Sequence, residues 1–82
     1  MKIYNRTGYV LEDLQQLQKI GTVRSNWRKR LIDLYETPDE KVLSVGTALD
    51  RSMIVMAIEE KSDWADALDF FARNSGMVYT TN

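Results

Sequence analysis

From Val10 to Ile20 the apolar residues fall at Val10, Leu14 and Leu17, with Leu11 widening the stripe and Ile20 closing it. That is helical spacing. Thr7 offers a cap in front, Glu12 and Asp13 suit a first turn, and Lys19 followed by Gly21 suits a last one. The pattern predicts a helix over 9–20. Ser25 then caps a second stripe of Trp27, Leu31, Leu34 and Tyr35, with Ile32 beside it, which predicts a helix over 26–36. Pro38 ends it, because the residue before proline is pushed out of the helical region.

Beyond Pro38 the rhythm changes. Met53-Ile54-Val55-Met56-Ala57-Ile58 is an unbroken apolar run between polar walls. It follows neither period, so both of its faces need cover, and it is predicted to be the centre of the core. The β-branched residues Val42, Val45, Thr47, Ile54, Val55 and Ile58 favour a hairpin of about 41–49 and 52–59, with Gly46 as a candidate bulge. The competing reading is a helix from Ala48 to Lys61 capped by Thr47. Ser62 caps a further helix over 63–73, whose stripe is Trp64, Ala67, Leu68 and Phe71, and Asn74-Ser75-Gly76 stops it. Residues 2–6 and 77–81 read as terminal strands. The expected fold is one compact α+β domain over 1–82, a small, mostly antiparallel sheet packed with helices at 9–20, 26–36 and 63–73. The alternative is an all-α domain of four or five helices.

Charge alters this picture more than overall composition does. The net charge is −1. Residues 1–30 hold seven cations against two acids, whereas residues 31–82 hold ten acids against four cations, giving about +5 and −6 by direct count. Charge segregation of this kind bears on partners rather than on fold. The two halves can neutralise each other within the domain, or they can suit head-to-tail or symmetric self-association into a homo-oligomer.

The chain contains no His and no Cys. The commonest general base and all thiolate chemistry are therefore excluded. Gly-rich phosphate loops, nucleophile elbows and Ser/Lys dyads at motif spacing are absent, and Ser44-Val45-Gly46-Thr47 has no Walker ending. The expectation is a protein that is not an enzyme and needs no cofactor. No apolar run approaches a membrane span and the N-terminus lacks an apolar signal core, so the expected setting is soluble and cytoplasmic, away from membranes.

Two charged surfaces remain as candidate sites. Asp63, Asp66 and Asp69 repeat every third residue, and Phe70 lies off the apolar stripe. Two such carboxylates can share a cation or act as an acid/base pair, but acids in a first helical turn also serve the helix dipole, and no third ligand type accompanies them. They fit better as an acidic face that docks on a basic groove of a protein partner, with Phe70 as an apolar contact. The predicted function is thus a small regulator or inhibitor that binds a protein through a charged surface. The alternative is nucleic-acid binding. The basic 19–30 segment has the outline of a helix-turn-helix, with Arg24, Asn26, Arg28, Lys29 and Arg30 as the contacting residues. Placing Gly21 at the turn, however, puts Arg30 where an apolar residue normally sits. Trp27 and Trp64 fall on the apolar stripes and are expected in the core.

Overall fold

The computed structural model describes the backbone of residues 1–74 and 78–81, with side chains for 1–70, 72 and 73. It is a six-stranded mixed sheet with a single α-helix among the described residues. The strands are β1 (Lys2–Asn5), β2 (Gln18–Ser25), β3 (Arg30–Glu36), β4 (Val42–Ala48), β5 (Met53–Glu59) and β6 (Val78–Thr81), in the order β1-β5-β4-β3-β2-β6. β2, β3, β4 and β5 pair antiparallel as a meander. The two outer strands add in parallel, β1 on β5 and β6 on β2.

This corrects the expected α+β arrangement, and a six-stranded sheet also removes the all-α alternative. The segment read as a helix over 9–20 holds only a 3₁₀ stretch, Leu11–Gln16, before β2 begins. The segment read as a helix over 26–36 is the β2–β3 turn followed by β3. The physical reason lies in how the sheet is covered. Ile32 and Leu34 are buried on one face, while Leu31 and Tyr35 point to the other and are exposed and half-buried. A strand packed on both faces loses its alternation, so its apolar residues can mimic a helical stripe. The hairpin segments do pair antiparallel as β4 and β5, Val42 opposite Glu59 and Thr47 opposite Ile54. Gly46 is no bulge, because it pairs in register with Ile32 and Val55. The irregularity is at Ile20, where the β2–β3 register shifts between Lys19 and Gly21.

Each face of the sheet has its own cover. On one face Val23, Ile32, Leu34 and Val42 are buried together with Ala67 of α1 (Ala65–Asn74), and Ile20, Trp64, Leu68 and Phe70 pack against them. On the other face Leu43, Val45 and Met56 are buried under Tyr9, Leu14 and Leu17 of the N-terminal segment. Leu14 and Leu17, three residues apart, share one side of a 3₁₀ turn as they would of an α-helix, so that part of the apolar spacing marks a real buried face. A short 3₁₀ turn, Lys61–Trp64, leads into α1. The expected stop at 74–76 and the first residue of the expected C-terminal strand lie partly outside the described residues.

The core is centred one strand away from its expected place. Val42 to Gly46 of β4 is buried at every position, whereas in the 53–58 run only Met56 is fully buried and Ile58 is 36% exposed. β4 lies between β3 and β5 and so gains neighbours on both sides. Burial on two faces predicts that Leu34→Ala and Leu43→Ala, one on each face, each cost about 2–5 kcal/mol in urea unfolding. Ile3→Ser on the exposed edge strand should stay within about 0.5 kcal/mol of wild type.

The β3–β4 turn is held by Thr37, whose residue is 3% exposed. Its Oγ1 accepts from the Lys41 N–H at 2.9 Å and donates to Asp39, and its backbone N–H and C=O bond to the Lys41 C=O and the Glu40 N–H. The Thr37 hydroxyl holds the Asp39 carboxyl below the usual carboxylate range. A group with a lowered folded pKa adds stability above its unfolded value, near 3.9 for Asp, and loses it as pH falls through the folded value. NMR titration should therefore find Asp39 protonating below an ordinary Asp. Thr37→Val should return it toward normal and destabilise the domain by about 1–3 kcal/mol, since the Lys41 N–H is left without its partner.

Candidate functional site

The feature that stands out from the scaffold is the β2–β3 tip. Ser25 is buried, and its Oγ accepts from the Arg28 N–H at 3.1 Å, closing the turn over Asn26 and Trp27. Lys29 adopts a left-handed φ of 55°, and its C=O accepts from the Leu49 N–H at 3.0 Å, which ties this tip to the β4–β5 tip. There Asp50 Oδ1 accepts from the Ser52 N–H and hydroxyl at 3.0 and 2.6 Å, and Arg51 carries a φ of 62°. The Ser52 hydrogen bonds hold the Asp50 carboxyl below its usual range. The two turns therefore form one braced end of the sheet.

Trp27, expected in the core, stands 75% exposed on this end. The Arg28 guanidinium lies 5.6 Å from its ring centroid, a cation–π contact that leaves the charge accessible. Arg24 donates from Nε to Asn26 Oδ1 at 3.3 Å. Arg30 starts β3 half-buried, with Nη2 3.9 Å from Met53 Sδ. Arg24, Asn26, Arg28, Lys29 and Arg30 thus do come together, but on a strand end and a turn. The helix-turn-helix outline is corrected, because 18–25 is a strand and no recognition helix exists there.

The acidic set is divided. Asp63 sits in the 3₁₀ turn and Asp66 in the first turn of α1, both exposed. Asp69 pairs with Arg73 at 3.2 Å. Phe70 packs against the buried cluster of the first face rather than serving as a free contact. A cleft of about 570 Å³ separates the tip from the start of the helix. Trp27 and Arg28 form one wall, Ser62, Asp63 and Asp66 another, and Ile32 and Trp64 lie between. The Trp64 Nε1–H donates to Glu59, which also lines the cleft. A smaller hollow of about 330 Å³ lies between the two tips, lined by Arg28, Lys29, Arg30, Leu49 and Ser52 among others. Residues read in sequence as opposite surfaces, Arg28 against Asp63 and Asp66, therefore share one cleft.

Sequence reasoning missed Trp27 and Glu59 as residues lining the cleft. A signal for Trp27 was present. It lies inside Ser25-Asn26-Trp27-Arg28-Lys29-Arg30, a polar, turn-forming cluster between two β-branched stretches. No group of three Asp or Glu side chains converges on a metal-sized site among the described residues, and none of their helices is long and apolar enough to cross a membrane.

No protein-family model, no curated protein and no solved structure matches the chain. The two tryptophans provide a check on the geometry of the site. In Trp64→Phe, leaving Trp27 alone, acrylamide should quench the fluorescence freely. In Trp27→Phe, leaving the half-buried Trp64, quenching should be weaker and stability should stay within about 0.5 kcal/mol of wild type.

Proposed function

We propose that this chain is a small, non-enzymatic regulator or inhibitor that acts by binding a protein partner, with Trp27 as the anchor and the charged walls of the adjoining cleft fixing register. The observation that carries this is the 75% exposed indole at a cleft with Arg28 on one wall and Asp63 and Asp66 on another. Exposed tryptophan and arginine are the residue types that dominate binding energy at protein interfaces. Walls of both signs suit a polypeptide segment, which itself carries both signs, better than a uniform polyanion, which the carboxylates repel inside the cleft. A second copy of the chain offers both signs and counts among the partners proposed. The non-enzymatic part rests on the lack of His and Cys, and the proposed setting is the cytoplasm.

The test compares three baits in nuclease-treated host extract: wild type, Trp27→Ala, and Asp63→Lys/Asp66→Lys. Capture of the same protein by wild type, weakened at least tenfold by each variant, is the expected result. Capture that disappears on nuclease treatment, or that neither variant alters, would overturn the reading. Nucleic-acid binding is the second reading; it shares Trp27 and Arg28 with this one and adds Lys2, Arg24, Lys29, Arg30 and Arg51 at the same end of the sheet.

A further inference from the structure

Ion pairs are distributed unevenly along the strand axis. At the end carrying the β3–β4 turn, Lys41 pairs with Glu60 at 3.4 Å and Lys61 with Glu36 at 3.6 Å, and Lys19 at the start of β2 pairs with Asp33 at 3.3 Å. The opposite end carries Lys2 at the start of β1, Arg24 at the end of β2, Arg28 and Lys29 in one turn, Arg30 at the start of β3, and Arg51 in the other turn. Among the described residues none of these six cations has a carboxylate within ion-pair distance. Two sets of acids lie near them: Asp50, whose carboxylate accepts from Ser52, and Asp63 and Asp66, which share the cleft with Arg28 alone of the six. The exposed Trp27 stands in the same group.

From this juxtaposition we infer that the cationic end of the sheet is a docking surface for single-stranded nucleic acid, running across the strand ends and meeting the cleft only at Trp27 and Arg28. Lys2 on β1 and Arg24 on β2 are four strand spacings apart, or roughly 19 Å. The cations therefore form a row across the sheet end, suited to an extended phosphate backbone. That span exceeds the Debye length at physiological salt, about 8 Å, so distant attraction is screened and the row acts through local contacts. Four of the six are arginines, whose planar donors match phosphate oxygens. Trp27 supplies what phosphate contacts alone lack, an aromatic face on which an unpaired base can stack. A duplex keeps its bases stacked internally and cannot use that face. Of the six cations only Arg28 lines the cleft that holds Asp63 and Asp66, so a strand laid across the end meets those carboxylates at one position. An acidic polypeptide would satisfy the charges but has no bases to stack on the indole, so nucleic acid is the occupant the residues favour.

The test uses the full chain with fluorescein-labelled single-stranded oligonucleotides of mixed sequence, the same sequences as duplexes, and poly-glutamate. The expected result is anisotropy binding of single strands that weakens steeply between about 50 and 200 mM salt. Arg24→Glu/Arg51→Glu, both at exposed positions, should lower the log–log salt slope by about 1.4, near 0.7 per lost contact. Trp27→Ala should weaken single strands about tenfold or more while changing the slope little. Circular dichroism of each variant verifies that the fold is kept. No binding at low salt, equal affinity for single strand and duplex, binding insensitive to Arg24→Glu/Arg51→Glu in a folded variant, or poly-glutamate binding as tightly as the oligonucleotides would each overturn the inference.

Discussion

Burial of β4 on both faces is the constraint from which the rest of the structure follows. Val42, Leu43 and Val45 are each 5% exposed or less, and Ser44 and Gly46 between them are buried too. A strand enclosed in this way needs a hydrogen-bonded neighbour on each edge and a separate cover on each face. β3 and β5 supply the edges. One segment covers each face. The N-terminal 3₁₀ stretch covers the Leu43 side, and α1 covers the Val42 side. Both covering segments lie outside the meander in sequence, so the sheet is enclosed by the two ends of the chain. A small domain cannot spare apolar surface, and among the described residues no buried side-chain polar atom lacks a hydrogen-bond partner.

That enclosure explains which parts of the fold could be read from the sequence. The hairpin of β4 and β5 was legible because β-branched residues recur along both strands, Val42, Val45 and Thr47 in one and Ile54, Val55 and Ile58 in the other. The amphipathic segment after Ser62 was legible because α1 has one buried face and one solvated face, the condition under which periodicity reports truthfully. β2 and β3 failed for the opposite reason. Ile32 and Leu34 are buried on one face, while Tyr35 is half-buried and Leu31 exposed on the other, and apolar residues on both faces hide the alternation that would separate a strand from a helix. The apolar run at 53–58 misled about the centre for a related reason. Run length measures how many faces want cover, whereas depth depends on neighbours, and β4 outranks β5 by lying between two long strands.

The candidate site was legible as composition but not as geometry. Arg24, Asn26, Arg28, Lys29 and Arg30 are legible as the contacting residues of a basic segment, and the turn does gather them. Their grouping with Lys2 and Arg51 depends on strand order, β1 beside β5 and the 49–52 turn beside the 26–29 turn, which local sequence does not encode. Trp27 was assigned to a buried stripe that exists only if 26–36 is a helix. Once that segment is a turn and a strand, the same residue becomes the most exposed large apolar side chain among the described residues, at 75%. Phe70 moved the other way. Its offset from the apolar stripe suggested exposure, yet a short helix lying on a broad sheet face buries a wider arc than one contacting another helix.

Cations gathered without ion pairs repel one another, so the position of each invites a physical account. Arg30 has one in Gly46. A Cβ at position 46 would lie 3.3 Å from Arg30 Cδ and 3.7 Å from both Ile32 Cγ1 and the Val55 carbonyl oxygen. Glycine here is not needed for backbone freedom, since Gly46 sits in regular register in the middle of β4. It clears a path over the sheet for the aliphatic stem of Arg30. The stem is covered and the guanidinium emerges near Met53, between the two tips, in the manner of a long cationic side chain that buries its methylenes and keeps its head in water. A side chain at 46 would meet a movable methylene rather than rigid backbone and would shift Arg30 outward more readily than it would break the strand. The smallest residue of the central strand therefore fixes where a charge of the exposed end is presented, and the core and the candidate surface are joined through that one contact.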